Sequence, residues 1–319
     1  MLMLTPATVH ALLTEHGIRP KRSLGQNFLV DPNTARRIAA AADVKPGDHV
    51  LEIGPGLGSL TLALVERGAD VVAMEFDARL ALVLRSVLES AGIEIDDPPP
   101  DGTRVDNATA GGGRVRDDEA GERSDPPGRA RVQVGDACSA PFADLLDDCP
   151  SRADRTWSCV SNLPYNVAVP VVMRLLDDAP VVERMLVMVQ REVGARLAAR
   201  PGDEQYGAVS VKVAYYAEAA VVGTVPPTVF LPRPKVDSAL VRLQRRAQPS
   251  VSVPSAPELF TLVRAGFAQR RKTLRRSLQP LLGDRTGDVL TAAGVAPSSR
   301  AEVLGLDEWA ALARSAAAA

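Results

Sequence analysis

Three cysteines, three histidines and no surplus of either charge leave this 319-residue chain without several of the usual chemical signatures. Cys138, Cys149 and Cys159 are odd in number and lack CxxC spacing, which argues against a disulfide framework or a zinc site and for reduced, buried thiols. His10, His16 and His49 share no ligand spacing and read as structural or exposed residues, so no metal is expected. Charges or prolines break every apolar run well short of the roughly 18 residues a membrane span requires. The opening MLMLTPATVHALLTEHG has no basic head, long apolar centre or cleavage site. It does not read as a secretion signal, and a cytoplasmic protein with no membrane partner is expected. No internal repeat is visible. With 37 basic and 39 acidic residues, bulk charge announces no nucleic-acid partner, and any such partner has to be sought in how the charge is distributed.

What is present is a composition of 46% apolar and 24% charged residues, that of a folded chain long enough for one large domain and a smaller one. The runs 49–53, 70–75, 131–134, 157–161 and 185–189 are short and rich in Val, Ile and Leu, and helical text separates them. That alternation predicts an α/β fold with a parallel sheet covered on both faces. Between about Glu94 and Arg129 the text turns rich in Pro, Gly and charge, and reads as a disordered surface insertion. QPSVSVPSAP, from Gln248 to Pro257, divides a domain over 1–248 from a helical one over 249–319. Around that break, residues 230–285 carry twelve Lys or Arg against Asp237, Glu258 and Asp284, so the near-neutral total hides a basic face.

Glu52-Ile53-Gly54-Pro55-Gly56-Leu57-Gly58 follows the first of the five strand runs and opens a helix. Glycines at such a turn let a ligand approach the backbone closely. Their i, i+2, i+4 spacing departs from the dinucleotide fingerprint, which favours an adenosine-bearing ligand without a pyrophosphate over NAD. A tight turn with no ligand is the plain alternative. Glu75 ends the next run, where a carboxylate can accept from both ribose hydroxyls. Asp136 follows the third run and can accept from an adenine amino group. Either acid alone would pass for a helix cap; with the glycine turn, at successive strand ends, they outline an adenosine pocket.

Asn162-Leu163-Pro164-Tyr165 follows the fourth run. An exocyclic amine on a base is a poor nucleophile because its lone pair is delocalised into the ring. An Asn oxygen and the carbonyl preceding or belonging to a rigid Pro can accept its two N–H bonds while an aromatic ring clamps the base. Methyl transfer from a sulfonium to such an amine needs no metal or Cys nucleophile, because alignment and electrostatics suffice. A turn with a buried Tyr is the bland reading.

NLPY with EIGPGLG, GQNFL, MVQREVGARL and FLPRPKVDSALVRL resembles the KsgA (RsmA) family of ribosomal RNA adenine dimethyltransferases over about residues 20 to 280. The resemblance implies a Rossmann-like methyltransferase domain with a small helical C-terminal domain. It implies S-adenosylmethionine as cofactor, and dimethylation at N6 of two adjacent adenosines near the 3′ end of small-subunit rRNA by a monomer. Position by position, Asn27 and Leu29 look like lid contacts to the cofactor. Gly54 and Gly56 look like the close backbone approach, and Glu75 and Asp136 like the ribose and adenine acids. Asn162 looks shared between cofactor and target, and Pro164, Tyr165 and Phe230 like the holders of the target adenine. Without the family, Phe230 is as readily a core residue.

FAQRRKTLRRSL places Arg270, Arg271, Lys272, Arg275 and Arg276 at helical spacing around an apolar seam of Phe267, Leu274 and Leu278, which suits RNA phosphates. It also matches the family's text and helps separate a small-subunit enzyme from the Erm enzymes, which methylate large-subunit rRNA. An Erm-type activity, and an assembly factor with vestigial methylation, are the rival readings.

Overall fold

The computed structural model describes residues 3–21, 24–95, 128–147, 156–269 and 271–318. Most of the Pro- and Gly-rich stretch read as an insertion, together with Cys149 and Arg270, lies outside them. Nine strands are described: β1 (Phe28–Leu29), β2 (His49–Ile53), β3 (Asp70–Glu75), β4 (Ala130–Val134), β5 (Trp157–Asn162), β6 (Val182–Gln190), β7 (Ala217–Val225), β8 (Phe230–Leu231) and β9 (Ser238–Arg245). The first eight helices are α1 (Pro6–Glu15), α2 (Pro32–Ala41), α3 (Ser59–Glu66), α4 (Ala78–Ser90), α5 (Phe142–Asp147), α6 (Ala168–Asp178), α7 (Arg191–Ala198) and α8 (Ala208–Tyr216). They are followed by α9 (Ala256–Phe267), α10 (Leu274–Leu282), α11 (Thr286–Ala292) and α12 (Leu306–Ala318). None is long and apolar enough to cross a membrane.

Seven strands form one sheet in the order β4-β3-β2-β5-β6-β9-β7. β4 through β6 run parallel, as their apolar runs predict, but β9 lies antiparallel to β6 and β7 antiparallel to β9. The sheet is therefore mixed, not wholly parallel as expected. The difference arises where the helical crossovers stop: β7 is joined to β9 by residues 226–237, which contain β8 but no crossover helix, and the chain returns antiparallel beside its neighbour. β2 is buried along its whole length because it sits mid-sheet with helices on both faces. Strand order reverses between β2 and β5, and that switch point opens a crevice at the carboxyl ends of both strands.

Two cores sandwich the sheet. One gathers Leu62, Leu64, Leu84 and Leu88 from α3 and α4; the other gathers Val171, Val172 and Leu175 from α6. Arg245 ties the second face together, its guanidinium donating to the carbonyls of Leu175, Leu176, Ala179 and Val182 at 2.7 to 3.2 Å and so satisfying the end of α6. The third core, around the fully buried Trp309, belongs to α9–α12 but also takes in Tyr206, Val211 and Tyr215. The Tyr206 hydroxyl, just before α8, donates to the Leu304 carbonyl at 2.8 Å, so the C-terminal helices are anchored on α8 and its leading turn as well as joined through the linker.

The basic block is not one continuous helix. α9 ends at Phe267, Lys272 N–H closes a turn on the Gln269 carbonyl at 2.8 Å, and α10 begins at Leu274. Leu274 and Leu278 are buried with Phe267 packed beside them, so the expected seam exists but is assembled from two helices. Arg271 and Lys272 ride the exposed turn, and Arg275 and Arg276 the first turn of α10. Cations at a helix N-terminus oppose its dipole, so their placement there is not a stabilising one.

Candidate active site

A cavity of about 260 Å³ occupies the switch-point crevice, walled by the ends of β2, β3 and β5, by the turn after β4, and by the segment 24–29. All eight residues expected from the sequence at the cofactor and turn positions, Asn27, Leu29, Gly54, Gly56, Glu75, Asp136, Asn162 and Pro164, line it, and so does Tyr165. Phe230 does not: it is 3% exposed and packs in the core beneath the first segment. β8 pairs antiparallel with β1, Leu29 opposite Phe230, and that short ladder turns the Phe230 ring inward. The placement differs from the expectation of a stacking ring; the aromatics that line the cavity with Tyr165 are Phe28 and Phe76.

The glycine turn has left-handed backbone at Gly54 and Gly56, with φ of 69° and 60°. A Cβ on Gly54 would lie 3.0 Å from Pro164 Cδ, and one on Gly56 2.9 Å from the Phe28 ring. These glycines thus admit protein as well as ligand: they let the NLPY turn and the β1 segment close down on the loop.

Glu75 is buried at the end of β3. One carboxylate oxygen accepts the Gly56 N–H and the other the Asp77 N–H, both at 3.0 Å, and the Phe76 N–H also acts on the group, which fixes its plane. Burial pushes its pKa up, and the backbone donors hold it back. Asp136 is exposed and accepts the Cys138 N–H at 2.8 Å, an Asx turn that steadies its carboxylate at the rim. Asn162 donates through Nδ2 to the Asn27 carbonyl at 3.1 Å, which joins the end of β5 to the segment before β1 and leaves Oδ1 without a partner among the described residues. The Ser59 hydroxyl donates to the Leu29 carbonyl at 2.5 Å, anchoring the same segment to α3. In the turn itself, the Pro164 carbonyl already accepts the Val167 N–H at 3.1 Å, whereas the Leu163 carbonyl accepts none of the described bonds. The Tyr165 hydroxyl shares a 2.7 Å hydrogen bond with Ser238, a fully buried residue opening β9, and burial raises the phenol's pKa.

Two wall residues escape a reading by motif. Phe76 is 60% exposed at the mouth, the largest apolar surface beside Glu75. Glu52 is buried within β2, 1% exposed, with Oε2 lacking a partner among the described residues. A charge in an otherwise apolar buried strand was the available signal. Desolvation, only partly offset by the nearby Thr61 hydroxyl, pushes the Glu52 carboxyl from 4.5 up to about 8. The folded chain therefore favours the neutral acid. Its contribution to stability is complete below pH 4.5 and is lost as pH rises through about 8. The unliganded protein should melt at progressively lower temperature from pH 5 to pH 9, and Glu52→Gln should flatten that slope in a calorimetric series.

The thiols differ from expectation in one respect. Cys159 is buried, bonded to Ser161 at 3.4 Å and pushed up to about 12, but Cys138 is half-buried on the cavity wall. His49 is buried against the Trp157 ring at 5.1 Å, and His10 and His16 are exposed. Among the described residues no group of His, Cys, Asp and Glu is placed to hold a metal ion.

Sheet order and cavity position place this chain among the Rossmann-like methyltransferases. The fold is shared by a dimethyladenosine transferase from Plasmodium falciparum, 21% identical with a TM-score of 0.63 over 89% of this chain and 95% of that one. It is shared also by the 23S rRNA methyltransferase ErmE, 25% identical with a TM-score of 0.59 over 91% and 100%. The chain itself belongs to the ribosomal RNA adenine dimethylase family, whose model matches residues 17–96 and 129–318. The match passes over 97–128, the stretch the sequence marks as an insertion. Ribosomal RNA small subunit methyltransferase A of Thermobifida fusca (strain YX) is 45% identical over 313 residues, 98% of this chain and 95% of that protein. The protein of the same name from Moorella thermoacetica is 40% identical over 317 residues, 98% and 97%.

Proposed function

We propose that this protein is an rRNA adenine dimethyltransferase that methylates N6 of two adjacent adenosines near the 3′ end of small-subunit rRNA, with S-adenosylmethionine as cofactor. The observation that carries the chemistry is the pair of acceptors without a described donor, Asn162 Oδ1 and the Leu163 carbonyl, on residues that line the cavity. The substrate follows from kinship: relatives 40 to 45% identical over nearly the whole chain are small-subunit enzymes, while the large-subunit enzyme ErmE stands at 25%.

The residues fit the cofactor. Glu52 Oε2 is a buried acceptor lacking a donor among the described residues, and the ammonium of an amino acid supplies one. Glu75 accepts from a ribose diol, Asp136 from an adenine amino group, and Phe76 gives a face to the purine. Asn27 and Leu29, tied to Asn162 and Ser59, form the lid. S-adenosylmethionine brings the methyl group together with its own leaving group, a neutral thioether. The chain's part is alignment. Asn162 and the Leu163 carbonyl accept the two N6–H bonds, which turns the nitrogen lone pair out of the ring and toward the cavity. Tyr165, its hydroxyl held by Ser238, stacks on the base, and Pro164 keeps the turn rigid. As the N–C bond forms, the amine proton is released along the acceptor it already faces.

We assign 1–248 to methyl transfer and 249–319 to RNA binding, in a monomeric cytoplasmic protein acting during small-subunit biogenesis. Arg270, Arg271, Lys272, Arg275 and Arg276 supply phosphate contacts. Replacing Arg271 and Lys272 with Gln should weaken small-subunit binding and lower the slope of log affinity against log salt by about 1 to 2, measured by filter binding across a salt series. An unchanged slope would make the block a bystander. The function itself is tested by supplying labelled methyl donor to small subunits lacking the modification and to large subunits. Label confined to the small subunit supports it; label in the large subunit favours the Erm-type reading.

A further inference from the structure

A second recess adjoins the cavity and shares Asn27, Tyr165 and Asn166 with its wall. Its far side is the segment after β8, where Arg233 and Lys235 are exposed and Pro232, Pro234 and the 45%-exposed Val236 form an apolar floor. Gln190, at the end of β6, closes it. Among the described residues no carboxylate lines this recess, and neither cation makes an ion pair or hydrogen bond with any of them. Most other arginines near the catalytic core are engaged: Arg245 on four carbonyls, Arg36 on Glu66, Arg174 on Asp178. Two free cations beside a small apolar floor, next to the ring that stacks the target base, match the chemistry of a nucleotide's phosphate and base face.

We infer that Arg233 and Lys235 clamp the phosphodiester flanking the target adenosine while it is rotated out of its stack. The inference rests on the function proposed above and deepens it. A base turned into the Asn162–Tyr165 turn carries its backbone across the adjoining rim, and unstacking leaves the nucleotide loosely oriented unless its phosphate is fixed. Fixing it there acts on alignment for transfer. The basic turn of the C-terminal region, built on a different core, supplies bulk affinity instead. The two sets of cations should therefore separate experimentally.

The test is single-turnover methyl transfer from S-adenosylmethionine to saturating, unmodified small subunits by the full chain, beside filter binding of the same subunits. R233Q/K235Q should slow transfer by about 10- to 100-fold, the loss expected for charge-assisted contacts, while the subunit Kd moves less than about threefold. R233K/K235R, which keeps both charges, should recover most of the rate. An unchanged rate for R233Q/K235Q overturns the clamp, as does a binding loss equal to the rate loss, or failure of the charge-keeping pair to recover. Wild-type protein assayed in parallel separates the two levels: if it transfers nothing to small subunits, the functional reading itself is wrong and the clamp falls with it.

Discussion

Asn162→Ala should lower methyl transfer by about a thousandfold, the loss typical of removing a preorganised polar group from a reacting centre, while leaving small-subunit binding within about threefold. The side chain makes two kinds of contact that the variant removes together. Its Nδ2 bond to Asn27 ties down the segment before β1, and its Oδ1 is the acceptor proposed above for the target amine. Asn162→Asp separates them, since it keeps an acceptor and loses the donor. Both variants should raise the cofactor KM through the loosened lid, but Asp should retain more of kcat than Ala. Tyr165→Ala should fall with Asn162→Ala, whereas Tyr165→Phe, which keeps the ring and loses only the Ser238 bond, should lose no more than about tenfold. Equal loss of transfer and of subunit binding in Asn162→Ala would sink the assigned role.

Glu75→Ala should weaken S-adenosylmethionine binding by about 10²- to 10³-fold, the worth of two hydrogen bonds to a charged acceptor. Glu75→Gln should do little better. Each carboxylate oxygen already accepts a backbone N–H, from Gly56 on one side and Asp77 on the other, so the amide NH₂ of a glutamine must face a donor whichever way it turns. Turned toward Gly56, the NH₂ also loosens the glycine turn, because the Gly56 N–H then loses its acceptor. Calorimetric titration with the cofactor checks the expectation; a glutamine variant binding like wild type would mean that the carboxylate does not carry the ribose contact.

The central strands were legible because burial on both faces leaves short runs rich in Val, Ile and Leu between helical text: His49–Ile53 and Asp70–Glu75 match β2 and β3 end to end. β7 was not, since Ala217–Val225 lies at the sheet edge with most of its side chains exposed and shows no clean alternation. The antiparallel turn of the sheet followed from a connection whose length is visible but whose direction is not. Arg271 and Lys272 fit a helical period by spacing alone, yet the chain turns there because α9 and α10 both bury apolar faces against Trp309 and its neighbours. Among the residues that line the cavity, Glu75, Asp136 and Asn162 were readable from their positions at strand ends. Phe230 was misplaced because its orientation is set by pairing with Leu29, some two hundred residues earlier in the chain, and no local pattern encodes that. Glu52 lay inside the glycine motif itself, but only its burial without a partner marks it as part of the site.

The most direct test of the account is the chemical identity and position of the product. Small subunits lacking the modification would be treated with the protein and S-adenosylmethionine, and their rRNA digested for nucleoside analysis and mapped by primer extension. The account predicts N6,N6-dimethyladenosine at two adjacent adenosines near the 3′ end, with none in large subunits treated alongside. Monomethyladenosine as the final product, a single modified position, or label in large-subunit RNA would contradict it.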